Sequence, residues 1–150
     1  MKIEEKINES IKDSMKKKDN LRLDSLRAIK SAILIEKTKS GSKNQIDESL
    51  ILKILQKMVK QRNDSAKIYL EQKRDELANV EISQANIISE FLPAQLSESD
   101  LSEIIDKVII DIGAESMKDM GKVISGVSEK VSGQAEGRLI AEIVKRKLMS

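Results

Sequence analysis

The side chains best placed for chemistry are basic residues that stand beside glycines in the last third of the sequence. These candidates are Lys118, Lys122, Gly133, Gly137 and Arg138. The segment 133–138 has the composition of a loop that opens a helix, and free N–H groups at a helix start favour phosphate. The pattern indicates binding to the phosphate backbone of RNA, with countercharge from Lys118, Lys122 and Arg138.

The glycines of this region have a second explanation. Glycine inside a helix costs about 0.5–1 kcal/mol relative to alanine, so something should offset that cost. Close packing of helices in a small domain would do so, and so would the approach of a second backbone, that of RNA. The glycines concerned are Gly121, Gly126, Gly133 and Gly137.

A second basic group lies near the amino-terminal end. Lys16, Lys17 and Lys18 form a run between two predicted helices, and Arg22 follows on the second of them. Contacts of these side chains with phosphates would position a nucleic acid without reading its sequence. The alternative is a solvated loop, which is the usual role of a charge run.

Catalysis has no candidate residues here. The sequence contains no histidine and no cysteine, which removes the commonest general base, the thiol nucleophile and the usual zinc ligands. Gly121–Lys122 is not the end of a phosphate-binding loop, because Val123 stands where Ser or Thr is required. We therefore expect no catalytic residue, no metal site and no cofactor.

The amino-acid composition limits the kinds of partner that the chain is expected to bind. Tyr69 and Phe91 are the only aromatic residues, so platforms for base stacking are missing and we expect no DNA partner. The net charge is +2, with 19 basic against 15 acidic residues in 1–92 and 8 against 10 in 93–150.

The longest apolar run, Ala32–Ile35, is far shorter than a membrane span. With no targeting pattern in Met1–Lys6, these features predict a cytoplasmic protein without a membrane partner.

Four apolar stripes at helical spacing predict four helices in residues 1–92. The stripes are Ile3, Ile7, Ile11 and Met15; Leu23, Leu26, Ile29, Ile33 and Leu34; Ile51, Ile54, Leu55, Met58, Ser65 and Tyr69; and Leu77, Val80, Gln84, Ile88 and Phe91. We expect Asp19 or Asn20 to cap the second helix and Gly41 to end it. Pro93 closes the fourth helix, because the residue before proline avoids the α region.

Three more helices are predicted after Pro93. Ser97 with Asp100, and Ser116 with Asp119, have the spacing of a capping box, and Gly113 suits a left-handed helix end. No segment alternates apolar and polar residues as a strand would. The predicted fold is all-α, with an N-terminal helical bundle in 1–92 and a small three-helix C-terminal domain in 93–150.

Five segments together resemble the GatB/YqeY family, in its free-standing YqeY-like form. They are Lys18–Asp19 before 22–33, Lys60–Gln61–Arg62, the joint Phe91–Leu92–Pro93–Ala94–Gln95–Leu96–Ser97, Asp119–Met120–Gly121–Lys122–Val123, and Gly133–Gln134–Ala135–Glu136–Gly137–Arg138. The resemblance covers essentially the whole sequence. Its most specific part is the joint combined with the two glycine-containing segments.

The resemblance implies that the C-terminal part is similar to the tail domain of the B subunit of glutamine-dependent Asp/Glu-tRNA amidotransferase. That tail touches tRNA, whereas the chemistry of the subunit lies in a domain this chain lacks. Any carbon–nitrogen ligase label would thus be inherited from the larger relative. Lys122, Gly133, Gly137 and Arg138 occupy the glycine-basic motif of the family.

We therefore expect a non-catalytic, tRNA-associated accessory protein that binds structured RNA through backbone contacts. Two alternatives stay open. One is a helical protein–protein adaptor, and the other is an accessory subunit of an amidotransferase complex. The expected partners are tRNA and a protein of translation.

Overall fold

The computed structural model describes residues 2–39 and 46–150, and within these residues the chain is helical without any strand. The seven α-helices are α1 (Ile3–Lys17), α2 (Asn20–Lys39), α3 (Glu48–Glu71), α4 (Asp75–Ser89), α5 (Glu98–Ile112), α6 (Met120–Lys130) and α7 (Gly137–Met149). A single 3₁₀ turn, Met117–Asp119, leads directly into α6. The prediction of an all-α fold is confirmed. Gly41, predicted to end the second helix, lies outside the described residues.

The chain divides into two compact units, Met1–Leu92 and Pro93–Ser150. In the first unit, α1 packs on α2, and α3 and α4 form a long antiparallel pair that contacts α2. Its core is aliphatic, as a sequence with two aromatic residues requires, and it is built from Ile3, Ile7, Leu26, Ile29, Ile33, Ile51, Leu55, Met58 and Ile88. The core therefore draws on all four helices of this unit.

The turn between α1 and α2 is closed by a residue that is not glycine. Lys18 adopts a left-handed conformation with φ 57°, and its N–H donates to the Met15 carbonyl. Asp19 then caps α2, because its Oδ1 accepts the backbone N–H of Arg22 at 3.1 Å. The predicted cap at Asp19 or Asn20 is thus resolved in favour of Asp19.

The second unit contains α5, α6 and α7 and has its own cluster of buried apolar residues. That core consists of Leu101, Ile105, Val108, Val123, Val127, Val131, Ala135, Ile140, Ile143 and Val144. Ser97 caps α5 by accepting the Asp100 N–H at 3.1 Å, and Gly113 ends it with φ 75°. Both features agree with the caps predicted from the sequence.

The segment that precedes α5 is bound to the connection between α6 and α7. The Leu96 N–H donates to the Gln134 carbonyl at 2.8 Å, and Gln95 Nε2 donates to the Gly133 carbonyl at 2.8 Å. In return, Gln134 Nε2 donates to the Ala94 carbonyl at 3.4 Å. The joint and the segment 133–138, which both carry the family resemblance, are therefore hydrogen-bonded to each other within the second unit.

Three predicted stripes include residues that the structure exposes, and on α2 this residue is Leu34, which is 64% exposed. Met15 is exposed on α1 and the neighbouring Ser14 is buried in its place. On α4, Leu77 and Val80 are exposed, whereas Ala78 and Ala85 are buried. Small side chains take these buried positions because they let helix backbones approach closely.

Candidate RNA-binding site

Lys118 and Lys122 lie at the start of α6, on a short element with a defined local structure. Ser116 Oγ accepts the Lys118 N–H at 3.4 Å, and Asp119 Oδ2 accepts the Glu115 N–H at 3.0 Å. These two bonds fix the 3₁₀ turn that carries Lys118, and Lys122 follows in the first turn of α6. Both lysines are exposed, and neither is in an ion pair within the part of the chain that the structure describes.

Asp119 stands between the two lysines and is ionised at neutral pH. The hydrogen bond from the Glu115 N–H is the main influence that lowers the pKa of this carboxyl, with smaller contributions from Ser116, Lys122 and Lys118. Asp119 is half-buried. It reduces the positive potential of the site without a direct ion pair to either lysine.

Gly121 and Gly137 have no packing reason to be glycine. A Cβ added at either position would meet no atom within 4 Å, and neither residue has a positive φ. Gly121 is the second residue of α6 and Gly137 the first of α7, and both are exposed. The chain therefore presents bare backbone to solvent at the start of two helices.

Gly126 differs from these two glycines, because packing against a neighbouring helix leaves little room for a side chain. A Cβ there would lie 3.2 Å from Val108 Cγ1 and 3.5 Å from Ile112 Cδ1. Of the two explanations that the sequence left open, close helix packing holds for Gly126 and does not hold for Gly121 or Gly137.

Gly133 has a structural role of its own. It is buried, its φ of 76° is in the left-handed region, and its carbonyl accepts the Gln95 amide. These constraints account for a glycine at this position without a ligand. Gly133 therefore stabilises the loop before α7 from the inside, and it is not exposed on the surface of that loop.

Arg138 is exposed on the first turn of α7, next to Gly137. Its Nε lies 3.5 Å from Glu142 Oε1, in an i, i+4 pair with both side chains largely in solvent. Such exposed pairs are weak and exchange readily with other partners. Arg138 can therefore still reach an external phosphate.

The candidate residues of the second unit do not form one cluster along α6. Lys118 and Lys122 belong to its beginning, whereas Gly133, Gly137 and Arg138 follow its end. The helix has 11 residues, and about 1.5 Å of rise per residue makes it roughly 16 Å long. Backbone contacts at both ends would suit an extended ligand better than a single small anion.

In the first unit the basic candidates are divided by their contacts. Lys16 and Lys18 are exposed, and no ion pair among the described residues holds them. Lys17 pairs with Asp13 at 3.2 Å on the same exposed face. Arg22 joins two other elements, since its guanidinium lies 2.6 Å from Glu90 Oε2 and 3.0 Å from Ser10 Oγ. Arg22 is therefore partly buried and already engaged within the fold.

Gly121 is the residue that the sequence-based set of candidates omitted. Its signal was present, because the helix predicted from Ser116 onward includes Gly121, and glycine inside a helix is costly. Sequence alone could not separate it from Gly126, since the difference lies in what a Cβ would touch. Arg62, which belongs to one of the segments that resemble the family, donates to Gln84 Oε1 at 3.1 Å and to the Met58 carbonyl at 3.3 Å, so it is engaged within the fold.

Among residues 2–39 and 46–150, no three acidic side chains come together as metal ligands would. No helix in those residues has the length and apolarity needed to cross a bilayer.

Comparison with known proteins gives one family match and several curated relatives. Residues 4–148 match the family model described as YqeY-like protein. The relative in Clavispora lusitaniae is named "Altered inheritance of mitochondria protein 41, mitochondrial", and it is 30% identical over 122 residues, which cover 81% of this chain and 69% of the relative. Proteins of the same name in Meyerozyma guilliermondii and Candida glabrata are 33% and 31% identical. Those matches cover 68% and 57% of this chain, and about half of each relative, 52% and 47%.

These names correct the prediction of a cytoplasmic protein, which is wrong by this comparison. Each of the relatives is named as a mitochondrial protein. The prediction rested on the composition of the first six residues and on the shortness of the apolar runs. Neither feature separates the cytoplasm from the interior of an organelle, because soluble proteins of both have the same physical requirements.

The resemblance seen in the sequence motifs is confirmed for its YqeY part. The matched range includes the joint at Leu96 and the connection at Gln134, which are hydrogen-bonded to each other in the structure. The match extends over nearly the whole length of both units. The chain belongs to the family of YqeY-like proteins.

Proposed function

We propose that this protein is a non-catalytic accessory protein that binds structured RNA, tRNA in the first instance, through the helix starts of residues 93–150. The observation that carries the proposal is the bare backbone at Gly121 and Gly137, for which the fold offers no packing reason. Basic side chains stand directly beside both glycines. A phosphate backbone needs close approach, N–H donors and countercharge, and these positions offer all three.

The electrostatics of the helix starts favour a phosphate ligand. No side chain of the described residues caps the start of α7, so its first N–H groups are left for a ligand and the helix dipole favours negative charge there. At α6 the Met120 N–H already donates to the Met117 carbonyl, so the helix dipole and the two lysines are what favour phosphate at that start. Lys118 and Lys122, which form no ion pair with any residue that the structure describes, add countercharge. The negative charge of Asp119 partly cancels the positive potential of the two lysines, so the affinity for RNA should be moderate and sensitive to salt.

Binding of this kind would recognise the shape of an RNA and not its sequence. Tyr69 and Phe91 both belong to the first unit and are half-buried, so they are poorly placed to stack on bases. Lysine, arginine and backbone N–H groups contact phosphates, which carry no sequence information. The ligand class is therefore a folded RNA with closely spaced phosphates.

The resemblance to the amidotransferase tail supports tRNA as the first ligand to test. It also keeps open the second alternative, an accessory subunit of an amidotransferase complex, in which the chemistry would belong to another chain. The names of the relatives support the mitochondrion as the place of action. The purified chain should show no amidation of charged tRNA with glutamine or ammonia, because it has no histidine or cysteine to serve as base or nucleophile.

In the experiment, unfractionated tRNA is titrated with the full chain at several salt concentrations. Binding is measured by fluorescence anisotropy. The double variant Lys118→Glu, Lys122→Glu is compared with the control Lys107→Glu, Lys145→Glu, which makes the same charge change at exposed positions of the same unit. We expect the first variant to lose affinity by about tenfold or more, and the control by less than about threefold.

A parallel variant tests the first unit. Lys16→Glu with Lys18→Glu reverses the charge of the two lysines of the basic run that are in no ion pair among residues 2–39 and 46–150, while Arg22 keeps its structural contacts. If this variant loses tRNA binding and the Lys118, Lys122 variant does not, the RNA contact belongs to the first unit. If none of the variants changes tRNA binding, while one of them abolishes capture of a protein partner, the adaptor alternative replaces the RNA proposal.

A further inference from the structure

The turn between α1 and α2 is short and contains a strained backbone. Lys18 has φ 57°, in the left-handed region that a side chain with a Cβ disfavours. Asp19 alone separates Lys18 from Asn20, the first residue of α2. Short turns under strain favour the exchange of an element between two copies of a chain, because extension of the turn relieves the strain.

The sequence around this turn is compatible with an uninterrupted helix. Residues 16–22 read Lys-Lys-Lys-Asp-Asn-Leu-Arg and contain no glycine, proline or β-branched residue. If Lys18 adopted the right-handed conformation, α1 and α2 would join into one helix over residues 3–39, roughly 55 Å long at about 1.5 Å per residue. The closed turn is therefore one of two helical arrangements that the sequence allows.

The polar contacts of α1 with α2 do not require that both helices belong to one chain. Lys37 Nζ lies 3.0 Å from Glu4 Oε2, and both side chains are half-buried. Arg22 Nη2 donates to Ser10 Oγ at 3.0 Å. The same helix from a second copy would make the same contacts, so exchange of α1 loses none of them.

Apolar burial anchors α1 through few side chains. Its buried residues are Ile3, Ile7 and Ser14. The hydroxyl of Ser14 has no hydrogen-bond partner among residues 2–39 and 46–150, so the burial of Ser14 opposes the packing of α1. α1 therefore leaves its place more readily than a helix with a full apolar stripe.

Two large apolar side chains flank the turn and are exposed. Met15 is 55% exposed and Leu21 is 40% exposed. In a dimer with exchanged helices the two extended turns approach each other at the two-fold axis, so these side chains of both copies would lie near it. The run 16–18 of both copies would lie there too. Its lysines repel each other, so added salt should strengthen the dimer.

We propose that α1 is exchanged between two copies of this chain. The turn at Lys18 extends, α1 and α2 become one helix, and α1 of each copy packs on α2 of its partner. The exchange re-forms the contacts of α1 between the copies and removes the left-handed residue from both chains. The proposal does not depend on RNA binding.

The pair of Glu4 and Lys37 separates this exchange from any other dimer. The variants Glu4→Lys and Lys37→Glu each place like charges at this contact, both within one chain and in a dimer of identical chains. In a mixed dimer with exchanged helices, both contacts again join a lysine to a glutamate. We therefore expect the dissociation constant of the mixed dimer to be at least about tenfold lower than that of either variant alone.

The matched control uses an ion pair inside one helix. Lys60 and Asp64 pair at 2.7 Å within α3, so exchange of α1 cannot restore this contact between chains. The variants Lys60→Glu and Asp64→Lys differ in net charge by as much as the first two. Their mixed dimer should have a dissociation constant within about threefold of those of the separate variants.

Each mixture is unfolded together in urea at high protein concentration and refolded, so that the helices can exchange. Mixed dimers are identified by native mass spectrometry, and dissociation constants are measured by sedimentation velocity. Circular dichroism establishes that each variant is folded.

Substitutions at Lys18 test the role of the strained turn. Lys18→Gly and Lys18→Ala remove the same charge. Glycine adopts the left-handed conformation without cost and disfavours the continuous helix, whereas alanine does the opposite. We expect the dimer dissociation constant of Lys18→Gly to be about tenfold or more above that of Lys18→Ala.

Three results would overturn the proposal. The first is an original protein that stays monomeric after refolding at its solubility limit. The second is a mixture of Glu4→Lys and Lys37→Glu that forms mixed dimers no better than the control mixture, as a dimer through another surface would. The third is an equal dissociation constant for the glycine and alanine variants of Lys18.

Discussion

Ser14 is a polar residue in an apolar position. Its side chain is buried on α1, and its hydroxyl has no hydrogen-bond partner among the described residues. A buried hydroxyl without a partner costs free energy of folding, because it gives up its hydrogen bonds to water. Ser25, on α2, is also buried, but its Oγ donates to the Leu21 carbonyl at 3.0 Å.

We predict that Ser14→Ala raises the free energy of unfolding by about 1–2 kcal/mol, measured by urea denaturation. Ser25→Ala is the control and should change it by no more than about 0.5 kcal/mol, because the carbonyl it releases keeps its helical bond. A loss of stability in the Ser14 variant would contradict this account and would mean that the hydroxyl has a partner.

Asp119 provides a prediction about pH. Its pKa is lowered in the folded protein, so the carboxylate contributes stability above its pKa in the unfolded chain and loses that contribution as the pH falls through the folded value. Asp119→Asn keeps an oxygen acceptor for the Glu115 N–H and removes the charge. The stability difference between the two proteins should be constant near neutral pH and shrink in the acid range below about pH 4. A difference that grows on acidification would show that the pKa is raised.

At the scale of elements, the turn after α1 contains a strained residue. Lys18 has the left-handed conformation that glycine adopts without cost and that side chains with a Cβ disfavour by about 1 kcal/mol. Lys18→Gly should therefore raise the free energy of unfolding by about 1 kcal/mol in thermal or urea denaturation. Lys17→Gly, one residue earlier and still helical, should lower it by about 0.5–1 kcal/mol. Equal effects of the two changes would contradict the role assigned to the φ of Lys18.

The helices themselves could be predicted from apolar spacing and caps, but the faces they bury only in part. A predicted stripe is drawn through the most hydrophobic side chains at helical spacing, so on α4 it included Leu77 and Val80 as buried residues. The structure instead buries Ala78 and Ala85, since close approach of α3 and α4 requires small side chains. Which partner a helix approaches, and how closely, is a property of the tertiary arrangement and cannot be deduced from one helix.

The candidate site was predictable to a similar extent. Basic residues and glycines marked the correct elements, the start of α6 and the start of α7. The roles of the individual glycines required coordinates, because Gly126 packs close to Val108, Gly133 has a positive φ in a buried turn, and a Cβ added at Gly121 or Gly137 would meet open space. In the sequence these glycines look alike.

At the scale of the whole molecule, the two compact units lead to a prediction about separate folding. Fragments 1–92 and 93–150 should each be helical by circular dichroism, because each contains its own core. A shorter fragment, 98–150, loses the bonds of Gln95 to Gly133 and of Leu96 to Gln134, so its melting temperature should be lower than that of 93–150. Fragments that are unfolded alone and fold only when combined would indicate one joint core.

The central claim is that bare backbone at two helix starts serves an RNA ligand, and the double variant Gly121→Ala, Gly137→Ala tests it most directly. Nothing in the fold opposes the two added methyl groups, and alanine is the better helix former, so the free energy of unfolding should stay equal or rise by up to about 1 kcal/mol. The affinity for tRNA should nevertheless fall, by about tenfold, because the methyl groups block the approach of phosphates. Gly126→Ala, which crowds Val108, serves as the control and should change stability without changing tRNA affinity. A double variant that is at least as stable as the original protein and binds tRNA with unchanged affinity would contradict the claim.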